Sequence, residues 1–317
     1  MKAEELGLLK LDDSINKHLP FAVANPKYPN ADITIRQLAT HTSSLDYNEK
    51  VVESLYIEES KKDKSLKQFM EDYFQKGIYG TVKYTEDLPG SNWNYSNIGA
   101  GLAAYIIEYK SGMTFSDFTE KHIFKPLKLT HTSWFESEVD SLNRSKYYES
   151  AKDSILEVAT SGVQLYPCRD LLTNIEDLTK YCQAIMSQNP AVLKKESFEE
   201  LLQPNISSSV TNQEADNNGI FFFIDRNQYG IMYQLTGGSG GDNCINSMMF
   251  FDPQTMLGYI FIGNTGPAKW NRSNHIRIYR ALVSLGEYVS MNNPDNSFVD
   301  VMGYKWHNWY NRVRAFF

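Results

Sequence analysis

The sequence has few cysteines, and their spacing favours neither a metal site nor a disulfide framework. Three cysteines, Cys168, Cys182 and Cys244, are spread over a chain of 317 residues. No Cys-x-x-Cys pair or Cys/His cluster is present, so zinc is not expected. We interpret the cysteines as small buried hydrophobic residues, and the sequence predicts no metal and no other cofactor.

Long apolar runs and blocks of basic residues are also missing. No stretch approaches the ~18 apolar residues that a membrane span requires. The first residues, MKAEELGLLKLDD, have no basic region followed by an apolar stretch, so no signal peptide is expected. The net charge is −7 without a Lys/Arg cluster, which argues against nucleic acid as a partner. A small-molecule substrate or ligand is the expected partner, and the cellular location stays open.

Helix signals dominate the first two thirds of the chain. Thr34 and Gln37 form a capping-box pattern at the start of a short helix within residues 33–45. Residues 50–78 carry apolar side chains at helical spacing, with Leu66, Phe69, Met70 and Tyr73 on one face. Three further helices are predicted over residues 96–112, 114–124 and 174–188. The first of these is apolar nearly all round and should be buried.

The last third changes character. Four apolar segments rich in β-formers, at 219–227, 228–237, 245–253 and 257–265, predict consecutive antiparallel strands. A helix over 274–289 has apolar residues spaced to lie on that sheet. The order predicts an α+β fold in which an antiparallel sheet is packed by the C-terminal helix, next to a mostly helical region. The predicted divisions are 1–218 (helical region), 219–290 (sheet and covering helix) and 291–317 (aromatic tail).

Several segments together resemble one known family. They are KLDDSINKHLP (10–20), ITIRQLATHTSSL (33–45), PGSNWNYSNIGAGLAAYIIEYKSG (89–112), IFKPLKLTHTSW (123–134), TNIEDLTKYCQAIM (173–186) and GGSGGDNCINSMMFFDPQTMLGYIFIGNTG (237–266). Their order along the chain resembles the serine β-lactamase-related family, which includes class C β-lactamases, DD-peptidases and esterases of the β-lactamase fold. The resemblance extends to about residue 290 and implies that fold, with an antiparallel sheet at its centre.

The resemblance also implies a site for acyl transfer through a serine ester. In the family, a Tyr-x-Asn motif supplies a tyrosine that shuttles a proton and an asparagine that holds the substrate amide. Tyr95-Ser96-Asn97 matches that motif, so Tyr95 and Asn97 are the predicted catalytic residues and Ser96 a substrate contact. The family's basic strand residue is replaced by Gly238, so Gly238, Ser239 and Gly240 are predicted to bind substrate, mainly through backbone N–H groups.

The family's Ser-x-x-Lys pair, in which a lysine activates the nucleophilic serine, has no match in the expected register. It should lie upstream of KLDD, as should further strands of the sheet, so we expect the chain to be a fragment or a degenerate homologue. The one Ser-x-x-Lys, Ser14 to Lys17, falls in a proline-flanked connection and is interpreted as a coincidence. A sheet edge without its neighbour invites pairing, so we expect another copy in a homo-oligomer, another chain or the aromatic tail (303–317) to cover it.

Two other patterns are rejected as catalytic. Lys110-Ser111-Gly112 spells the family's strand motif but ends a predicted helix. Residues 237–241 fit Gly-x-Ser-x-Gly, but a strand follows them where a nucleophile elbow requires a helix. His41 is interpreted as a buried, hydrogen-bonded turn residue rather than a catalytic one.

Three functions stay open from the sequence. The first is a β-lactamase-related hydrolase acting on ester or amide bonds, with activity weak, atypical or absent because the serine–lysine pair is missing. The second is a non-catalytic ligand-binding or structural homologue. The third is a hydrolase that uses two carboxylates, as glycosidases do, drawn from Glu86, Asp87 and Asp242 on loops near Tyr95.

Overall fold

The computed structural model describes residues 1–266, except for 47–50, 52–54, 141, 143, 152–153, 160, 213–216, 226–234 and 242–243, and a few residues within 277–286. The chain divides into two compact units, one of residues 1–228 and 232–270, the other of residues 229–231 and 271–317. The helix predicted over 274–289 lies largely outside the described residues, and the tail 303–317 lies wholly outside them. The predicted domain boundaries stay predictions.

The first unit contains eight described helices. They are α1 (Lys2–Glu5), α2 (Ile35–Ala39), α3 (Lys67–Glu71), α4 (Asn97–Ser111), α5 (Phe115–Thr119), α6 (Lys125–Leu127), α7 (Ile175–Met186) and α8 (Lys195–Leu202). A π-helical turn follows α3 at Asp72–Lys76, and another joins α5 to α6 at Glu120–Phe124. Single 3-10 turns lie at Ile15–Lys17, Glu59–Lys61, Glu136–Glu138 and Tyr166–Cys168.

Local capping signals set several helix ends. The Thr34 hydroxyl accepts a hydrogen bond from the Gln37 N–H, and the Gln37 side chain accepts one from the Thr34 N–H, so the predicted capping box forms. Gly112 ends α4 in the left-handed conformation, with φ 68°, which glycine adopts without steric cost. The helix predicted over 114–124 continues through the π-helical turn to Leu127, so Pro126 lies inside it rather than just beyond it.

In the region predicted to be helical over 50–78, Val51 and Leu55 are helical, and α3 with its π-helical turn covers residues 67–76. Leu66, Phe69, Met70 and Tyr73 are all buried, as their shared spacing predicts. Between these helical parts lie a short strand, β1 (Tyr56–Ile57), and a 3-10 turn, which the prediction missed. β1 pairs antiparallel with β4 (Gly162–Val163), a contact between segments about a hundred residues apart that helical periodicity could not reveal.

The five-stranded sheet confirms the antiparallel prediction, and a second sheet is mixed. Their strands are β2 (Tyr147–Ala151), β3 (Ser154–Val158), β5 (Asn217–Asn218), β6 (Phe223–Asp225), β7 (Leu235–Gly241), β8 (Asn246–Asp252), β9 (Leu257–Gly263) and β10 (Thr265–Gly266). One sheet has the order β5-β6-β7-β8-β9 with every neighbouring pair antiparallel. The other places the β2–β3 hairpin beside β10, with β10 parallel to β2.

Helix α7 packs on strands β8 and β9 of the five-stranded sheet. A Cβ added at Gly258 would lie 3.0 Å from the Cys182 sulfur, so helix and sheet approach closely there. The α+β prediction is therefore confirmed. No helix within the described parts of the chain is both long and apolar enough to cross a bilayer.

Candidate active site

The Tyr95-Ser96-Asn97 segment forms the start of α4. Ser96 is the N-cap, buried, and its hydroxyl accepts a hydrogen bond from the Gly99 N–H at 3.0 Å. Tyr95 precedes it with 42% of its surface exposed, and its Oη donates to Asn97 Oδ1 at 3.0 Å. The Ser96 cap therefore fixes the start of α4, and the side chains of Tyr95 and Asn97, the two predicted catalytic residues, lie together there.

A buried histidine supports this segment. The His41 Nδ1 accepts a hydrogen bond from the Ser96 N–H at 3.3 Å, and its ring centroid lies 4.5 Å from that of Tyr95. Because Nδ1 is the acceptor, the neutral ring carries its hydrogen on Nε2. Burial lowers the pKa of His41 to about 4. The prediction that His41 is a buried, hydrogen-bonded turn residue is confirmed, and its φ of 58° places it in the left-handed region.

The predicted substrate-binding glycines lie on β7. A Cβ at Gly237 would lie 2.1 Å from the Met249 carbonyl oxygen, so no other residue fits there, whereas a Cβ at Gly238 meets nothing within 4 Å. Ser239 and Gly240 are exposed. Strand β6 pairs with Leu235–Gly237 only, so β7 extends beyond its described neighbour on that side from Gly238 onward.

Aromatic contacts connect the start of α4 to this strand. His41 packs edge-on against Trp93 with ring centroids 6.1 Å apart, and Trp93 lies 6.4 Å from Phe223 of β6. Phe223 is paired in register with Gly237 of β7. Tyr95 and the β7 glycines are thus linked through a packed series of rings. Among the described residues, no hydrogen bond joins the two groups directly.

Sequence reasoning missed a group of residues beside Asn97. Asn97 lines a small cavity together with Leu55, Val163, Leu165, Cys168 and Arg169. The Cys168 thiol donates to the Asn97 carbonyl oxygen at 2.9 Å, and burial raises the pKa of this thiol to about 12. Cys168 is therefore a protonated packing residue. The prediction of buried cysteines is confirmed for Cys182, whereas Cys168 and Cys244 are only half-buried.

Lys62 holds the segment that carries Cys168 and Arg169. Its side chain is 1% exposed, and its Nζ contacts Glu59 at 2.8 Å and Asp170 at 3.1 Å. It also donates to the Trp134 carbonyl oxygen at 2.8 Å. The Asp170 carboxylate accepts a further hydrogen bond from the Val163 N–H at 2.6 Å. A buried cation with three acceptors therefore joins three segments that are distant in sequence, a network that no local signal reveals.

Ser14 and Lys17 do not form a catalytic pair. The Ser14 hydroxyl donates to Asp32 at 2.6 Å, and the Lys17 ammonium contacts Asp13 at 3.1 Å. Ser14 and Lys17 lie at the two ends of a 3-10 turn, and each is bound by a different carboxylate, which agrees with the interpretation of this motif as a coincidence. Lys110 and Ser111 end α4, and Ser239 lies within a strand followed by another strand, so these rejections are also confirmed.

The carboxylates considered for a two-acid mechanism have other contacts. Glu86 pairs with Lys27 at 2.6 Å, and this contact lowers the pKa of Glu86, which is the wrong direction for a general acid. Asp87 accepts a hydrogen bond from Asn92 at 2.9 Å. Asp242 lies outside the described residues. Among those that are described, no group of three or more His, Cys, Asp or Glu side chains could hold a metal ion.

Comparison with known proteins decides the family. A beta-lactamase family model matches residues 1–283. The chain belongs to the beta-lactamase family. The chain is similar to protein flp of Staphylococcus aureus (strain COL), with 23% identity over 266 residues, 83% of this chain and 49% of that protein. The chain spans about half the length of the curated relatives it matches.

Solved structures share the fold of this chain. The octameric penicillin-binding protein homologue from Pyrococcus abyssi superposes with a TM-score of 0.67 at 21% identity, covering 90% of this chain and 62% of that one. The D-amino acid amidase from Ochrobactrum anthropi SV3, complexed with D-phenylalanine, gives 0.67 at 19% identity, covering 89% and 79%. At identities below 25%, these superpositions show that the chain shares the fold of the two structures.

Proposed function

We propose that Tyr95 and Asn97 form one wall of a β-lactamase-type site that binds ligands containing an ester or amide group. The observation that carries this proposal is the hydrogen bond from Tyr95 Oη to Asn97 Oδ1 at 3.0 Å. Because the amide oxygen of Asn97 is occupied, its Nδ2 is the group that donates to a ligand carbonyl. No described residue accepts a hydrogen bond from this nitrogen. The exposed Tyr95 phenol would relay a proton beside it.

Strand β7 and the N-cap residue Ser96 supply the rest of the proposed site. Within Gly238–Gly240, the backbone N–H groups that point away from β8 would be offered to a developing oxyanion, without the charge that a basic residue would add at Gly238. Ser96 serves in this proposal as the cap that fixes Tyr95 and Asn97, because its hydroxyl is already engaged by Gly99. Ser96 therefore acts on the ligand only by positioning Tyr95 and Asn97, and the predicted direct contact between Ser96 and substrate is not part of this proposal.

The nucleophile is not assigned within these 317 residues. Acyl transfer by the family's chemistry needs a serine beside a lysine, and Ser14 and Lys17 are held by separate carboxylates. We therefore propose that this chain by itself binds ester or amide ligands and turns them over weakly, atypically or not at all. A non-catalytic ligand-binding protein is the alternative, and the same Tyr95–Asn97 geometry supports it.

A labelled penicillin tests the proposal. Fluorescence anisotropy should report saturable binding, and intact mass spectrometry should find little or no covalent adduct. Tyr95→Phe and Asn97→Leu should each weaken binding, whereas Tyr109→Phe, a matched change at an exposed tyrosine of the same helix, should leave it unchanged. Absence of binding, or binding that is indifferent to Tyr95 and Asn97, would overturn the proposal. Rapid formation of an acyl-enzyme would overturn its statement about turnover.

Association with a second copy also stays a proposal. Strands β5 and β9 are the two outer strands of the described five-stranded sheet, and the edge of an outer strand can pair with another chain. Sedimentation equilibrium would decide between a dimer or larger assembly, as proposed, and a monomer, which would contradict the proposal.

A further inference from the structure

Phe221 has a backbone conformation that bulky residues rarely adopt. Its φ is 60°, in the left-handed region that favours glycine. Two hydrogen bonds hold the surrounding turn: the Phe221 N–H donates to the Ala39 carbonyl oxygen at 3.0 Å, and the Gly219 N–H donates to the Phe222 carbonyl oxygen at 2.8 Å. A phenylalanine at a position better suited to glycine indicates a use for its side chain beyond stability.

The Phe221 side chain is not a core residue. Its neighbours Ile220 and Phe222 are buried, whereas Phe221 is 44% exposed. An aromatic ring that is nearly half in water contributes only part of its area to the hydrophobic effect, so burial alone does not account for it at this position. The exposed part of the ring is apolar surface that a ligand can cover.

Phe221 lies beside the histidine that supports Tyr95. The Phe221 ring packs edge-on against His41 with centroids 6.0 Å apart, and the Tyr95 ring lies 4.5 Å from the same imidazole. The hydrogen bond to Ala39 ties Phe221 to the end of α2, two residues before His41. The buried imidazole therefore contacts two rings that both reach the surface, those of Phe221 and Tyr95.

Phe221 also adjoins the end of β6 that faces the candidate part of β7. It precedes β6 by two residues, and the first residue of β6, Phe223, pairs with Gly237. Because β6 and β7 are antiparallel, Phe221 lies at the end of β6 toward which β7 continues with Gly238–Gly240. Phe221 thus adjoins both parts of the proposed site, the Tyr95 side and the strand.

We infer that Phe221 is an apolar contact for the ligand and makes the proposed site selective for amides and esters that carry an aromatic ring. This inference rests on the proposed function, which places the amide or ester group at Asn97. Aromatic rings attract one another in edge-on or offset arrangements, so an exposed ring beside the site favours a ligand ring over an aliphatic chain. A ring joined to the amide by one methylene group is the simplest ligand of this class.

The experiment compares three amides. N-butyryl-benzylamine and N-phenylacetyl-propylamine are isomers that carry the ring on opposite sides of the amide, and N-butyryl-propylamine has no ring. Isothermal titration calorimetry with the full chain measures their affinities. In the wild type, at least one isomer should bind about tenfold or more tightly than the ring-free amide, as burial of a ring against Phe221 allows. Phe221→Ala should remove most of this preference, and Phe221→Trp should retain it.

Two further variants separate ligand contact from a structural role. Phe221→Gly should lose the preference as Phe221→Ala does, but it should melt at a higher temperature than Phe221→Ala, because glycine adopts a φ of 60° without strain. Met256→Ala changes another exposed apolar residue at positive φ, in the turn between β8 and β9. It should leave the preference intact.

The outcomes distinguish this inference from the proposed function. Equal affinities of the three amides in the wild type, a ring preference that survives in Phe221→Ala, or a Phe221→Gly variant that melts below Phe221→Ala overturns the inference. If all three amides lose affinity in Asn97→Leu, the proposed function holds even then. A preference that needs Phe221 but is indifferent to Asn97→Leu supports the ring contact and contradicts the proposed function. Failure of all three amides to bind overturns both.

Discussion

The ring of His41 lies 4.5 Å from the ring of Tyr95, centroid to centroid. The same imidazole accepts the Ser96 N–H at 3.3 Å, so one buried ring contacts two consecutive residues of the candidate site. Because burial holds the pKa of His41 near 4, the ring is neutral at physiological pH and keeps its acceptor nitrogen available to Ser96. His41 is therefore a positioning residue for Tyr95 and Asn97.

The first prediction concerns this histidine. His41→Ala should lower the free energy of unfolding by about 2 kcal/mol or more, because the buried Ser96 N–H loses its acceptor and a residue other than glycine stays at positive φ. His41→Asn should lose less, since asparagine tolerates that conformation. Urea denaturation of both variants measures the difference. Equal losses would contradict the assigned backbone strain.

The free energy of unfolding of the wild type should also fall at acidic pH, because His41 is protonated more readily in the unfolded chain. The folded-state pKa is lowered to about 4 from an ordinary 6.5, so between these values only the unfolded chain takes up the proton. The stability that His41 contributes is present above pH 6.5 and is lost as the pH falls toward 4. His41→Asn should remove this component from the pH profile of urea denaturation. A profile identical to that of the wild type would contradict it.

Glu108 should give stability the opposite pH dependence, so that its contribution falls as the pH rises. Its buried carboxyl group accepts hydrogen bonds from the Leu66 and Phe115 N–H groups, both at 2.9 Å, and burial raises its pKa to about 7 from 4.5. The folded state keeps a proton that the unfolded chain releases above pH 4.5. The stability advantage of the wild type over Glu108→Gln should therefore be largest below pH 4.5 and shrink as the pH rises through 7. A difference that grows with pH would contradict this assignment.

Two adjacent glycines of β7 provide a matched pair. Gly237→Ala places a Cβ 2.1 Å from a backbone oxygen that cannot move without disturbing β8, and should cost about 2–3 kcal/mol of stability. Gly238→Ala meets nothing within 4 Å and should leave stability nearly unchanged. Thermal unfolding of the two variants measures both effects. Similar melting temperatures would show that β7 does not pack against β8 as described.

The buried lysine gives a stability prediction with its own control. Lys62→Met leaves the carboxylates of Glu59 and Asp170 buried without their cation, and should cost about 3–5 kcal/mol. Lys61→Met removes an exposed pair with Glu58 and should cost less than about 1 kcal/mol. Chemical denaturation of both proteins compares the neighbouring positions. Comparable small losses would show that the Lys62 network does not hold the segment carrying Arg169.

Features encoded by neighbouring residues could be predicted from the sequence. Thr34 with Gln37, Ser96 at the start of α4 and Gly112 at its end each act within one helical turn, so their effects are visible in the sequence. The meander from β6 to β9 is likewise local, since consecutive strands pair with their neighbours. The Tyr95–Asn97 contact belongs to this class, because both residues lie at one helix start.

The remaining features depend on contacts between distant segments. The ion pair of Lys62 with Asp170 spans 108 positions, and the thiol contact of Cys168 with Asn97 spans 71. No period or cap encodes such contacts, so the cavity beside Asn97 was not predicted. The hairpin of β2 and β3 was hidden for another reason: β3 is largely exposed, and its residues lack the alternation of a half-buried strand.

The measurement that tests the central claim most directly is a crystal structure of the chain with a bound amide ligand, N-butyryl-benzylamine. The account predicts the ligand carbonyl oxygen within hydrogen-bonding distance of Asn97 Nδ2, with the Tyr95 phenol beside the amide. A ligand that binds at full occupancy in another part of the molecule, and makes no contact with Tyr95 or Asn97, would contradict it.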